Sequence, residues 1–130
     1  MSARKIAQLS RRERQIMDAL YRRERATVAE VLADLPDELS YSTVRAQLRV
    51  LEQKGHVRHQ EEGLRYQYLP VVPRGEARRS ALRHLVDTFF SGSGERAAAA
   101  LIGGDAVRLS REELDRLAQR IEKAREERNE

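Results

Sequence analysis

After Gly55 the apolar period of this chain switches from helical to two-residue, and nothing else in the sequence constrains the fold as much. Before the switch, apolar residues recur every three or four positions, which places them on one face of a helix. After it, His56–Gln60 reads as a strand with Val57 directed inward. Glu61-Glu62-Gly63 supplies a turn, and Leu64–Leu69 returns with Tyr66 and Tyr68 on one face. Pro70 ends the return strand, since proline has no N–H to give a ladder. The expectation is three helices closed by a two-stranded hairpin.

Each of the three helices carries its own start signal. Ser10-Arg11-Arg12-Glu13 and Thr27-Val28-Ala29-Glu30 have capping-box spacing, in which a hydroxyl and a carboxylate satisfy the free N–H groups of a helix start. The first box opens a helix with Ile16, Met17, Leu20 and Tyr21 on one face, ending in Arg22-Arg23-Glu24-Arg25. The second opens a short helix with Val28, Val31, Leu32 and Leu35 apolar, stopped by Pro36 and Asp37. The third helix takes Ser40 as N-cap and runs from Tyr41 to Lys54, with Gly55 where a left-handed residue is wanted. Its apolar side holds Val44, Leu48 and Leu51, with Tyr41 placed on the same side. The opposite side holds Ser42, Ala46, Arg49 and Gln53, flanked by Thr43 and Arg45.

Helix, short helix, longer helix and ribbon is the order of a winged helix-turn-helix, whose third helix offers its outer face to the major groove of DNA. Such a face wants small residues for close approach and a few donors, which Ser42, Thr43, Ala46 and Arg49 supply. Arg45 or Arg49 can fork onto guanine, and Ser42 and Thr43 can hold a phosphate near the helix start. In the hairpin, Arg58, His59 and Arg65 can reach an adjacent backbone or minor groove, or can equally be the solvated charge that keeps an edge strand from aggregating. Tyr66 and Tyr68 read as core under the wing rather than as stacking platforms.

Charge sharpens the choice. The 130 residues hold 25 Lys+Arg against 21 Asp+Glu, a net +4. Residues 1–75 hold 14 basic and 10 acidic side chains and residues 76–130 hold 11 of each, so the whole excess lies in the first part. All of the cations are Arg except Lys5, Lys54 and Lys123. Arg is the better fork for phosphate and guanine. A GC-rich genome inflates Arg too, but it does not explain the asymmetry, which points to a polyanionic partner for the first part.

From residue 75 onward the chain reads as helical throughout. Gly75–Phe90 places Leu82, Leu85, Val86 and Phe89 on one face, Ser91-Gly92-Ser93-Gly94 breaks it, and an Ala-rich helix Glu95–Ile102 ends at Gly103-Gly104. A third capping box, Ser110-Arg111-Glu112-Glu113, opens a last helix with Leu114, Leu117, Ala118 and Ile121 in a narrow stripe. About 55 residues in three short helices bury too little to stand alone. Leu82, Leu85, Val86, Phe89, Phe90, Leu101, Ile102, Leu114, Leu117 and Ile121 therefore need a partner surface, most cheaply a second copy. The alternative is that the arm packs back on its own winged domain. A membrane-surface role is weaker, because the polar faces carry no Lys/Arg excess. The expected class is mainly α with a small β-hairpin wing: a winged helix-turn-helix over residues 1–72 that binds DNA, and a three-helix dimerisation arm over 73–130.

Several functions drop out. The sequence has no Cys, which removes disulfides, thiolate metal sites and Cys nucleophiles and suits a reducing cytoplasm. No apolar run approaches the roughly 20 residues that span a bilayer, and the charged stretch Met1–Arg14 lacks the apolar core of a signal peptide. The expectation is a cytoplasmic protein with no membrane insertion. His56 and His59 fall on opposite faces of a strand and His84 lies on a distant helix, so no metal is expected, and no cofactor. No phosphate loop, nucleophile elbow or H-E-x-x-H motif argues for an enzyme. The acidic residues mostly have Arg at helical spacing and read as salt-bridged surface.

With these residues in view the chain closely resembles the penicillinase-repressor family (BlaI/MecI/CopY-type regulators) over about residues 8–125. The resemblance is carried by Ser42-Thr43-Val44-Arg45, Leu48, Leu51-Glu52 and Lys54-Gly55-His56-Val57, then by Glu62-Gly63 and Tyr66-Gln67-Tyr68-Leu69-Pro70. In the arm it continues through Arg79-Ser80-Ala81-Leu82, Phe89-Phe90, and Leu109-Ser110 with Glu113-Leu114. The resemblance implies a homodimeric repressor on a dyad-symmetric operator. In several members a membrane metalloprotease sensor cuts the arm and so removes the bivalency. Three departures stand out. The copper-responsive branch has a Cys cluster that this chain lacks. The proteolysed members have an Asn-Phe bond where this chain has Ala100-Leu101. The family's Gly-Arg in the wing is interrupted here, with Leu64 between Gly63 and Arg65. The rival class is a winged-helix module that binds another protein through the third helix or the wing.

Overall fold

The computed structural model describes residues 9–129. The chain forms α1 (Arg11–Arg23), α2 (Val28–Asp34), α3 (Tyr41–Gln53), β1 (Val57–Glu62), β2 (Arg65–Pro70), α4 (Arg74–Phe89), α5 (Gly94–Ile102) and α6 (Arg111–Arg128). The architecture is mainly helical with one antiparallel hairpin, a winged helix followed by C-terminal helices. Of the charged N-terminal stretch, residues 1–8 lie outside the described residues.

All three capping boxes form. Ser10, Thr27 and Ser110 each accept from the backbone N–H three residues on, while Glu13, Glu30 and Glu113 accept from the N-cap N–H in return. Ser40 caps α3 by accepting from the N–H of Thr43 at 3.1 Å. Gly55 takes φ 85, the left-handed conformation that ends α3 and lets the chain leave as a strand.

The core of the winged unit is one apolar cluster. Ile16, Met17, Ala19 and Leu20 of α1 meet Val28 and Val31 of α2, Val44, Leu48 and Leu51 of α3, and Val57 and Tyr68 of the hairpin. A further backbone connection joins the hairpin to the helical layer. Ala26, between α1 and α2, pairs with Tyr68 through reciprocal N–H···O bonds of 3.0 and 2.8 Å. This single-residue bridge lays β2 against the helical layer by main-chain bonds alone. Ala26 has no strand-like pattern around it, so side-chain periodicity carries no sign of it.

Three local expectations change. The strands run Val57–Glu62 and Arg65–Pro70, so Glu61 and Glu62 belong to β1 and the loop shrinks to Gly63-Leu64. The register Val57↔Pro70 to Glu62↔Arg65 requires it, and Gly63 at φ 64 supplies the positive φ that a two-residue loop takes to match strand twist. Tyr41 is 54% exposed and not part of the core, because it begins the helix at the edge of the apolar face. Tyr66 and Tyr68 separate: Tyr68 is buried, while Tyr66 is 42% exposed on the wing.

The ion pairs of the winged unit join elements rather than neighbours on one helix. Arg12 holds Asp37 at 2.7 Å, Arg23 holds Asp34 at 2.7 Å, and Lys54 Nζ holds Glu13 Oε2 at 2.8 Å. The last pair ties the start of α1 to the end of α3 and is the least exposed at its carboxylate. Glu13 also accepts from the N–H of Ser10, so one buried carboxylate caps α1 and anchors Lys54. Its pKa lies below the usual carboxylate range, chiefly because of the Lys54 hydrogen bond and then that from Ser10.

In the remaining helices the apolar residues find little cover. Neither α4 nor α6 contains a buried residue, and α5 buries only Ala97. Two compact units divide between Ala81 and Leu82, within α4.

Replacing Glu13 by Gln should destabilise the winged unit by about 1.5–3 kcal/mol, the range for hydrogen bonds to charged groups. Because the folded carboxyl titrates below its unfolded value, its contribution is present above the unfolded pKa and is lost as pH falls through the folded one. Thermal melts across that acid window should therefore show a shallower pH dependence in Glu13→Gln than in the wild type. At Glu24, a non-glycine residue held at φ 71, Glu24→Gly should raise stability by about 0.5–1 kcal/mol in urea unfolding.

Candidate nucleic-acid interface

The buried seam of α3 fixes what the helix shows outside. Val44, Leu48 and Leu51 are each 0% exposed. Counting about 100° per residue from Val44, Arg45 stands about 100° away, Arg49 about 140°, Ser42 about 160°, Gln53 about 180° and Ala46 about 200°. All five of these side chains, and Thr43, are exposed. The six candidates on this helix thus form one outer face, edged by Arg45 on one side. Val50, 42% exposed, lies on that outer side as well, and only its angular position on the helix tells it apart from the core residues.

The start of this face is a hydroxyl cluster. Ser40 Oγ lies 2.7 Å from Thr43 Oγ1 and 3.2 Å from Ser42 Oγ. Ser42 and Thr43 therefore stand where the first turn of α3 opens, prearranged by their contacts with the N-cap. Arg45, Arg49, Arg58 and Arg65 make no ion pair among the described residues, and neither do Arg11, Arg14, Arg22 and Arg25. By contrast Arg12, Arg23, Lys54 and Arg74 each hold a carboxylate.

The hairpin flanks α3 on the Arg45 side. His59 Nδ1 lies 2.5 Å from Glu52 Oε2, and its ring stacks on Tyr66 with centroids 4.3 Å apart and planes 17° from parallel. His59, a wing candidate from the sequence, is thus engaged in joining β1 to α3. Strand alternation sets Val57, His59, Tyr66 and Tyr68 on the face toward the helices and Arg58 on the other; Arg65, opposite Glu62 at the turn end of β2, starts from that outer face as well, but its long side chain lines the cleft at the hairpin tip. Both arginines are exposed. Burial pushes the Tyr68 hydroxyl pKa up, Glu52 adds to the shift, and Arg45 opposes it.

Between the hairpin and α3 lies a cleft of about 570 Å³, lined by Thr27, Val28, Ala29, Tyr41, Arg45, Leu64, Arg65, Tyr66 and Tyr68. It brings together Arg45 and Arg65, which lie 20 residues apart in sequence. Arg58 and Arg49 do not line it. Among the described residues no group of three or more His, Asp or Glu side chains could hold a metal ion, and no helix is long and apolar enough to cross a membrane.

A helix with an exposed polar face, backed by two other helices and flanked by a hairpin, is the winged helix-turn-helix arrangement of a DNA-binding protein. Residues 9–123 match the family model described as Penicillinase repressor, and the chain belongs to that family of DNA-binding transcriptional repressors. No curated protein matches the chain significantly.

Because His59 joins β1 to α3 through its contact with Glu52 and to β2 through its ring stack on Tyr66, His59→Ala should lower stability by about 1–2 kcal/mol in chemical denaturation. It should also make the Tyr66 ring more mobile, as read from its aromatic proton linewidths.

Proposed function

We propose that the chain is a homodimeric repressor of a dyad-symmetric operator in the cytoplasm, with α3 in the major groove and the hairpin on the adjacent backbone. The observation that carries this is the outer face of α3. Small and donor side chains occupy its middle, exposed arginines free of carboxylates border it, and its buried seam holds it in one orientation. Arg49, nearer the middle than Arg45, is the arginine of this helix best placed to fork onto a guanine. Ser42 and Thr43 position the helix start, and Arg58 and Arg65 act from the wing.

Dimerisation is assigned to the C-terminal helices, residues 73–130. Leu82, Leu85, Phe89, Leu101, Ile102, Leu114 and Ile121 are all exposed in the single chain, with Phe89 at 71%. Val86, Phe90 and Leu117 are only half-covered. An isolated chain leaving so much apolar side chain in water gains most by burying it against a second copy. Two winged units so joined would read two half-sites, and their joint affinity would exceed either alone. A cut near Ala100-Leu101, in the last turn of α5, would remove that bivalency. A membrane metalloprotease sensor is the partner that the family resemblance offers for such a cut.

Arg49→Ala should weaken operator binding by about 1–3 kcal/mol in a gel-shift or anisotropy titration, and a change below about 1 kcal/mol would remove Arg49 from the groove. A chain ending at Ala81 should sediment as a monomer and bind the operator far more weakly; a dimer at that length would sink the assignment of the arm. Salt separates the rival module, since binding through several phosphates gives a steep fall of log K with log salt concentration. A flat slope would favour a protein partner.

A further inference from the structure

The cleft between α3 and the hairpin divides the work of the two arginines on α3. We propose that it seats one phosphodiester of the DNA backbone, gripped by Arg45 from α3 and Arg65 from β2, and that base reading on this side falls to Arg49 alone. This rests on the DNA reading above and adds to it a phosphate seat with named residues.

Three observations converge. First, Arg45 stands on the flank of α3 and not at its crest, on the same side as Glu52, whose bond to His59 marks where the hairpin lies. A guanidinium on that flank approaches the edge of the groove, where the backbone runs, while Arg49 lies nearer the crest that enters the groove. Second, the cleft lining holds two guanidiniums and no carboxylate, with the phenol-bearing side chains of Tyr41 and Tyr66 beside them. Phosphate oxygens are matched by this donor set, since a fork can take two of them and a tyrosine hydroxyl a third. Third, Glu61 and Glu62 stand next to the hairpin turn, outside the cleft lining. Their charge opposes a backbone passing over the tip of the wing, where Glu62 faces Arg65 across the ladder, and the cleft, with no carboxylate in its lining, is the attractive course. Leu64, fully exposed at the turn, adds an apolar wall of the kind a deoxyribose can lie against.

The test uses the full-length chain and two duplexes, one selected by the wild type from a random pool and one a scrambled version of it. Anisotropy titrations over a salt series are run on Arg45→Ala, Arg65→Ala, their double variant and Arg49→Ala. Thermal melts confirm that each variant is folded. Arg45→Ala and Arg65→Ala should each weaken both duplexes alike, by about tenfold, and lower the salt slope by about one. The double variant should lose less than the product of the single losses, because the two guanidiniums share one phosphate. Arg49→Ala should instead reduce the preference for the selected duplex. If Arg45→Ala weakens only the selected duplex and leaves the scrambled one unchanged, Arg45 reads a base and the cleft assignment is overturned while the DNA reading stands. If the double variant loses the full product of the single losses, the shared seat is overturned. A wild type that selects no duplex and binds none overturns the DNA reading and the cleft with it.

Discussion

The burial of Val44, Leu48 and Leu51 against the cluster built by α1, α2 and the hairpin is the constraint on which the rest of the winged unit depends. A helix packed along one seam cannot rotate, so the direction of every other side chain on it follows. The same seam that contributes apolar burial aims Ser42, Ala46, Arg49 and Gln53 away from the protein. For the proposed reading of DNA by this face, holding it in advance matters, because side chains that need not be ordered on binding lose less freedom. The Glu13–Lys54 pair reinforces the seam from its C-terminal end, holding the last turn of α3 to the first turn of α1.

Much of this unit was legible in the sequence because its signals are local. A capping box is a spacing of three between a hydroxyl and a carboxylate, and a helix face is a period of 3.6. Both survive without knowledge of what lies across the core. The pieces that were not legible are those in which distant residues decide. The polar run Glu61-Glu62-Gly63 has the composition of a turn, yet strand pairing carries the ladder through both glutamates to Glu62↔Arg65. Tyr41 obeys the helical period but sits in the first turn, where the apolar face runs out toward the hairpin. The Ala26 bridge and the ion pairs between Arg12 and Asp37 or Lys54 and Glu13 join positions whose proximity only the packed fold creates. At the candidate site, the outer face of α3 was readable residue by residue. The cleft that brings Arg45 beside Arg65 was not, because it is made by the angle between a helix and a ribbon.

The C-terminal helices show the opposite balance. Their elements could be read closely, down to the Ser110 cap, but their core could not be found because the single chain has almost none. The positive φ values at Ser91 and Gly92 turn the chain sharply between α4 and α5. That corner separates the exposed Phe89 and Leu85 from Leu101 and Ile102 by only a short loop, giving apolar surface on consecutive helices. Hydrophobic residues that recur at helical spacing without covering one another are surfaces awaiting a match, and amphipathicity alone does not say which match they find.

The main-chain bridge between Ala26 and Tyr68 has a consequence for how such a protein can change over generations. Its hydrogen bonds use backbone atoms only, and the hairpin's further ties to the helices, the Glu52–His59 contact and the packing of Val57 and Tyr68, lie on the inward side of the ribbon. The outward positions, Arg58 and Arg65 among them, take no part in either. Substitutions there leave the anchorage intact, so what the wing presents outward can change while the scaffold that carries it stays the same.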